Sequence, residues 1–291
     1  KGFYLRGLLE DDAKMLYPAE LQSIKASTEK YQELLNTLVS NFRQKSVDNM
    51  EPNELLQILE AIGSYIPSST AKGEVADISL YDHMKLTAAL AICLYDYLHS
   101  KGIYDYKSYC YGTKQKALRK ENTYLLVSGD ISGIQDFIYT IPSKGALKSL
   151  RGRSFYLELL MENVIDELLE RLDLNRCNLI YNGGGNFYLL LPNTSQVLTE
   201  LENVQNIINQ WFLEKFGTRL YIAIGWAPCA ANDFMVNSGN ALGSIYSKAR
   251  SLIAVQKHRR YNAYQLGQLF QPHSQINTVK DGARECSICH T

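Results

Sequence analysis

The spacing of apolar positions changes character along the chain. Leu55, Ile58, Leu59 and Ile62 recur three and four residues apart, as do Leu86, Ala89, Leu90 and Cys93. That spacing lines one stripe of a helix, so the first hundred residues read as helical. Pro67-Ser68-Ser69-Thr70 breaks the pattern. Ser79 followed by Asp82 has the form of a helix cap and predicts a helix running to about His99. Residues 101–122 are polar, basic and rich in tyrosine, and read as a connector.

A different pattern begins at Thr123. Thr123–Ser128 is a short run with β-branched and aromatic members, as in a buried strand. Phe155–Leu172 has helical spacing, with Glu158, Glu162, Asp166 and Glu170 on one face. Leu179–Tyr181 and Phe187–Leu191 read as strands joined by Asn182-Gly183-Gly184-Gly185-Asn186, a hairpin whose residues tolerate positive φ. Val197, Leu201, Val204, Ile208 and Trp211 predict a helix ended by Gly217. Arg219–Trp226 reads as a fourth strand, and Ala241–Val255 as a further helix. Residues 256–291 look polar and irregular. The order strand, helix, strand, strand, helix, strand predicts a ferredoxin-like βαββαβ unit in an α+β chain, with both helices on one face of an antiparallel sheet. The compositional shift near residue 122 marks the expected domain boundary, and no internal repeat is visible.

The chain has 291 residues, enough for two domains, with 46% hydrophobic and 21% charged residues. Lysine plus arginine and aspartate plus glutamate both total 30, which excludes a protein that coats nucleic acid by bulk positive charge. The apolar stretch Leu86–Leu98 is interrupted by Thr87 and Asp96 and is too short to span a bilayer. The chain opens on Lys1 without a methionine or a secretory signal, so it is expected to be a stretch of a larger subunit. Cys93, Cys110, Cys177 and Cys229 are scattered, unlike a secreted disulfide framework, and the expected compartment is the cytoplasm.

Five constellations could carry chemistry. In Ser128-Gly129-Asp130-Ile131-Ser132-Gly133-Ile134-Gln135, Asp130 is expected at the carboxyl end of the first strand, in a tight turn between glycines. Backbone N–H groups there could bind an anion, and an aspartate at this point of such a sheet resembles the metal-holding aspartate of polymerase and cyclase palms. Equally, Asp130 and Ser132 could simply cap the next helix. In the hairpin, Gly185 and Asn186 occupy places where catalytic palms carry carboxylates. One carboxylate cannot hold two magnesium ions on a triphosphate. The pattern therefore fits a palm that cradles a nucleotide without catalysing alone, or an ordinary hairpin. Lys144, Lys148, Arg151 and Arg153 stand at the expected start of a long helix, where the helix dipole opposes them. A phosphate or RNA would resolve that conflict, and a solvated charge run is the alternative. Cys286 and Cys289 form a CxxC that suits half of a tetrahedral zinc site. Asp82-His83 is read as a capping residue and its neighbour, not as a metal site.

The phrases DISLYDHMKLTAALAICLYDYL, SGDISGIQDFIY, LRGRSFYLELL, YNGGGNFYLLL, RLYIAIGW and CSICH occur in this order. Together they resemble the large subunit of type III-A CRISPR effector complexes, the Csm type, from about Ser64 to Thr291. The resemblance implies that residues 1–105 are the later helices of an HD nuclease domain. Residues 122–255 would be the first palm, and 256–291 the start of a zinc-binding domain with Cys286 and Cys289 as half of its Zn2+ site. The naming HD dipeptide is absent here, and the catalytic GGDD hairpin belongs to a second palm, so no catalytic residue is assigned to this chain. The implied activities of the whole subunit are single-stranded DNA cleavage and synthesis of cyclic oligoadenylate from ATP with Mg2+ or Mn2+, both switched on by target RNA. Ser132, Gly133, Gln135 and Gly183, Gly184, Gly185 and Asn186, with Asp130, would form one wall of the ATP site. Implied partners are the other complex subunits, guide and target RNA, and single-stranded DNA; no membrane is implied. The competing expectation is a structural palm that only docks neighbouring subunits and guide RNA.

Overall fold

The structure, a computed structural model, describes residues 6, 27–45, 47–69, 78–139, 146–235 and 239–271. The chain divides into two compact units: residues 1–91 with 175–178, and residues 92–174 with 179–291. The division falls inside a helix and not at the compositional shift near residue 122.

The first unit contains α1 (Thr28–Gln44), α2 (Pro52–Gly63) and the start of α3 (Leu80–Ser100). Ser27 caps α1 by accepting from the Lys30 N–H at 3.2 Å. Pro52 opens α2, where its missing N–H would have had no partner anyway. Leu34 and Ile62 form the buried centre of this unit, with Ile58 packed beside them. At the start of α3, the Asp82 N–H donates to Ser79 Oγ at 2.9 Å, and the Ser79 hydroxyl donates to Asp82 Oδ2 at 2.7 Å. Asp82 is thus a capping residue.

The second unit is α+β. The connector is partly ordered as α4 (Tyr106–Cys110), capped by Asp105, and α5 (Gln115–Leu118). Then follow β1 (Tyr124–Ser132), α6 (Ile134–Tyr139), α7 (Ala146–Arg171), β2 (Leu179–Gly183), β3 (Asn186–Pro192), α8 (Ser195–Phe216), β4 (Tyr221–Cys229), α9 (Ala241–His258) and α10 (Ala263–Leu269). The four strands form one antiparallel sheet in the order β2-β3-β1-β4.

Strand alternation explains the layers. Leu125, Val127 and Ile131 of β1, Phe187, Leu189 and Leu191 of β3, and Ile222 and Ile224 of β4 form one buried cluster. Leu157, Ile165 and Leu168 of α7 and Leu201, Val204 and Phe212 of α8 belong to the same cluster. On the opposite face, α9 lies against β4 and β1. It approaches closely because position 225 is glycine: a Cβ there would meet the Ala249 carbonyl oxygen at 2.2 Å. Under the same sheet face, the Cys93 thiol of α3 donates to the Leu190 carbonyl at 3.3 Å.

β4 is an edge strand, and its outer backbone groups are closed by side-chain amides. Asn209 of α8 donates to the Ile222 carbonyl and accepts its N–H, both at 2.8 Å. Gln256 of α9 does the same for Ile224, at 2.9 and 3.0 Å, and Gln205 also accepts the Ile224 N–H at 2.6 Å. An unpaired strand edge is thereby capped within the unit.

Three boundaries differ from the sequence reading. β1 extends through Ser132, so Asp130 sits within the strand, opposite Asn186 and Ala223, and not in a turn. α7 begins at Ala146, nine residues before the expected Phe155. Residues 256–271 are largely helical: α9 continues to His258, and α10 opens on a reciprocal cap between Asn262 and Gln265 at 2.9 and 3.1 Å. Lys144, Cys286 and Cys289 lie outside the described residues.

Candidate functional site

β1, the start of α6 and the β2–β3 turn meet around a cleft of about 450 Å³. It is lined by Asp130, Ile131, Gly133, Ile134, Gln135, Asp136, Gly184 and Asn186. Five of the eight expected nucleotide-site residues therefore line one cavity: Asp130, Gly133, Gln135, Gly184 and Asn186. Gly183 belongs to β2, Gly185 packs its backbone against Ile134, and neither these two nor Ser132 lines the cavity. The Ser132 hydroxyl is buried without a hydrogen-bond partner.

The hairpin has a backbone reason for its glycines. Gly184 and Gly185 have φ of 61° and 82°, the two positive values of a type I′ turn between the paired Gly183 and Asn186. At position 185 a Cβ would also fall 2.1 Å from Ile134 Cδ1, whereas at 184 it would meet nothing within 4 Å. The turn is thus packed down on the start of α6 and open on the cleft side. Its Gly185 carbonyl accepts the Ile131 N–H at 2.9 Å, tying turn and strand together. Asn186 makes only a long contact, 3.4 Å from Nδ2 to the Gly184 carbonyl.

Asp130 is ion-paired. Lys257 Nζ, from the last turn of α9, lies 2.6 Å from Asp130 Oδ1, and both side chains are partly exposed. Lys257 belongs to the stretch that reads as polar and irregular in sequence, and it reaches the site. Arg260 lies over the Tyr221 ring at 5.8 Å, beside a phenol whose pKa burial raises. No helical or strand periodicity linked residue 257 to residue 130. The link follows from α9 packing on the sheet.

The basic stretch divides. Lys148 and Arg151 are exposed on α7. Arg153 is 1% exposed, and its guanidinium donates to the Phe137 carbonyl and lies 5.5 Å from the Phe137 ring centroid. Arg153 therefore cannot serve as a phosphate or RNA contact, and that expectation is corrected. The physical reason is helical phase: positions 153, 157, 161, 164, 165 and 168 all fall on the buried stripe of α7. The carbonyl it holds is one of those left without an intrahelical partner at the end of α6. The same spacing was readable in the sequence and would have placed Arg153 inward.

Among the described residues no group of three or more His, Cys, Asp or Glu side chains is arranged to hold a metal ion. No described helix is long and apolar enough to cross a membrane.

A family model described as Csm1 subunit domain B matches residues 123–275. A Mycobacterium tuberculosis protein is 43% identical over 291 residues, covering 97% of this chain and 36% of that protein. A Streptococcus thermophilus protein is 44% identical over 252 residues, covering 86% of this chain and 32% of its own length. Both are named CRISPR system single-strand-specific deoxyribonuclease Cas10/Csm1 (subtype III-A). The apo Csm1–Csm4 cassette aligns with a TM-score of 0.71 at 33% identity, covering 87% of this chain and 32% of that chain. The cassette in complex with AMPPNP aligns at 0.69 and 32% identity, covering 84% and 32%. The chain spans about a third of the length of the curated relatives it matches.

Proposed function

The chain belongs to the Csm1 family, and on that premise we propose that its sheet unit is the first, ferredoxin-like palm of a type III-A CRISPR effector subunit, forming one wall of an ATP site for cyclic oligoadenylate synthesis. The strand order β2-β3-β1-β4, with α7 and α8 on one face, supports the palm reading. The observation that carries the nucleotide reading is the cleft itself. Independent sequence candidates from β1, the loop at Gly133 and the β2–β3 turn converge on one cavity of about 450 Å³, within the range of small-ligand pockets. A two-glycine turn beside it lets a phosphate or ribose approach backbone without meeting a Cβ. Asn186 and Gln135 supply amides suited to a sugar or base edge.

This wall does not complete a two-metal site. Asp130 and Asp136 are the carboxylates lining the cleft, and Asp130 already balances Lys257. A metal ion accompanying the triphosphate would draw further oxygen ligands from a second palm, and would supply charge stabilisation at the transferred phosphorus. When the nucleotide arrives, Lys257 stands where its ammonium can turn from Asp130 to a phosphate oxygen. In this reading the remaining partners are the other Csm subunits, guide and target RNA, and single-stranded DNA as substrate of the whole subunit. Cys286 and Cys289 supply two thiolates of a zinc site completed elsewhere.

The test is Asn186→Trp in the full-length subunit within its assembled complex, with oligoadenylate formation measured after target RNA is added. An indole filling the cleft should abolish synthesis while assembly and guide loading are retained. Unchanged synthesis would overturn the ATP-wall reading and leave a palm that only docks its neighbours. Zinc content measured for the full-length subunit and its Cys286→Ser variant checks the second assignment: equal zinc removes it.

A further inference from the structure

We propose that the open stretch of the β4 edge at Trp226, together with the flank of α9, binds an extended acidic segment of a partner protein as an added strand. This goes beyond the ATP-wall reading, because none of the residues involved lines that cleft.

A cavity of about 650 Å³ lies between the end of β4 and the side of α9. Trp226 and Pro228 line its β4 side, and Ser244, Ser247, Lys248 and Ser251 line its α9 side. The backbone of β4 explains why this stretch is open. Ile222 and Ile224 turn their N–H and carbonyl groups away from β1, and the amides of Asn209, Gln205 and Gln256 close them. Strand alternation turns the same two groups of Trp226 outward, along with the carbonyl of Pro228. Among the described residues none bonds to these groups. Pro228 has no N–H to offer. The edge is thus sealed at two positions and left open at the third, where the cavity lies. An open strand edge is a receptor for an added strand. Here it offers one bond from the Trp226 N–H and one to each carbonyl of Trp226 and Pro228.

The walls fix the chemistry of the occupant. Successive side chains of an added strand point to opposite faces. On one face they meet Trp226, which packs partly against the core cluster, so an apolar residue fits there. On the other face they meet the flank of α9, where Ser244, Ser247, Lys248 and Ser251 are exposed. α9 carries Lys248, Arg250 and Lys257 and no acidic residue. Lys257 is paired with Asp130, and the Asp233 carboxylate near the end of β4 accepts the Ala230 N–H at 2.8 Å. Among the described residues no carboxylate pairs with Lys248. A row of hydroxyl donors with an unpaired ammonium suits carboxylates. The fitting sequence therefore alternates apolar and acidic residues. A nucleic-acid strand would feel the same charge, but it lacks the alternating amide groups that pair with a strand edge.

The experiment titrates the full-length subunit into fluorescein-labelled Glu-Val-Glu-Val-Glu at low salt, reading anisotropy. Lys248→Glu should weaken binding by about fivefold or more, because an ion pair becomes a repulsion. The same variant should gain binding of Lys-Val-Lys-Val-Lys, which also shows that it is folded. An added strand bonds through alternate nitrogens only. Methylating the valine nitrogens and methylating the inner glutamate nitrogen should therefore differ in effect by about tenfold, since one set carries the hydrogen bonds. Four results would overturn the proposal: a parent that does not bind the acidic peptide, a Lys248→Glu variant that keeps it or fails to gain the basic one, equal effects of the two methylations, or displacement of the peptide by oligouridine, which would make the surface a nucleic-acid site. Asn186→Trp separates this edge from the cleft. It should leave peptide affinity unchanged, and a loss there, or displacement of the peptide by ATP, would move the binding to the cleft and refute the added strand.

Discussion

Asn209→Leu removes both hydrogen bonds that close the edge of β4 at Ile222 while keeping the number and branching of the side-chain heavy atoms. Asn209 is 4% exposed, and its amide meets both backbone groups of Ile222 at 2.8 Å. The substitution leaves a buried N–H and a buried carbonyl without partners. Each such orphan costs about 1–3 kcal/mol. Burying leucine in place of a polar amide returns about 1 kcal/mol or more. The net destabilisation is about 2–4 kcal/mol, which for a unit of this size lowers Tm by roughly 4–16 °C. Gln205→Leu is the comparison. The Ile224 N–H that Gln205 holds at 2.6 Å is also held by Gln256 at 3.0 Å, so its loss leaves no orphan and should cost below about 1 kcal/mol. Urea unfolding followed by tryptophan fluorescence reports this unit selectively, because the chain's 2 tryptophans are Trp211 and Trp226. Equal midpoints for the two variants, or an Asn209→Leu midpoint within error of the parent, would refute the argument that these amides seal the edge.

Two further substitution sets separate backbone from side-chain effects. Gly185→Ala must hold φ near 82° with a methyl 2.1 Å from Ile134 Cδ1, and should cost about 1–3 kcal/mol. Gly184→Asn has an open position and a residue that accepts positive φ, and should stay within about 1 kcal/mol of the parent; thermal melts giving the reverse order would overturn the turn assignment. The second set is alkaline. Burial pushes the Cys229 thiol up from 9 to about 12, with Asp233 adding to it. A folded pKa above the unfolded one gives stability that is whole below pH 9 and is lost as pH rises towards 12. Cys229→Ala should therefore lose less stability than the parent between pH 8 and about 10.5. Parallel losses in urea melts at the two pH values would show that the thiol does not contribute.

The sheet was legible because strand alternation and glycine placement are local signals. The hairpin needed two positive φ values, and Gly184 and Gly185 were the residues that tolerate them. The convergence of Asp130, Gly133, Gln135, Gly184 and Asn186 was also foreseeable, since β1 and the β2–β3 turn adjoin in any such sheet. The exact end of β1 was not, because Gly129 and Asp130 read as turn residues while their pairing with Phe187 and Asn186 keeps them in the strand. Gly129 is tolerated there because the Phe187 ring fills the space a side chain would take. Arg153 was misread by charge although its helical phase pointed inward. Lys257 and Asn209 could not be read at all: their partners are 127 residues before and 13 residues after them, through packing of whole helices on the sheet. The cap of α10 is written in the sequence as Asn262 and Gln265, but the polar residues around it mask the helix start.

The Arg153 bond to the Phe137 carbonyl has a topological consequence. It joins the end of α6 to the second turn of α7 inside the core, where Phe137 is held again by Phe216 at 5.7 Å and Tyr156 at 6.2 Å. Phe137 lies three residues after Ile134, which lines the cleft, so one short helix ties the guanidinium, the two rings and the cleft wall together. A change at Arg153, deep in the core, would therefore be felt at the cleft through α6, without any contact between Arg153 and a ligand there.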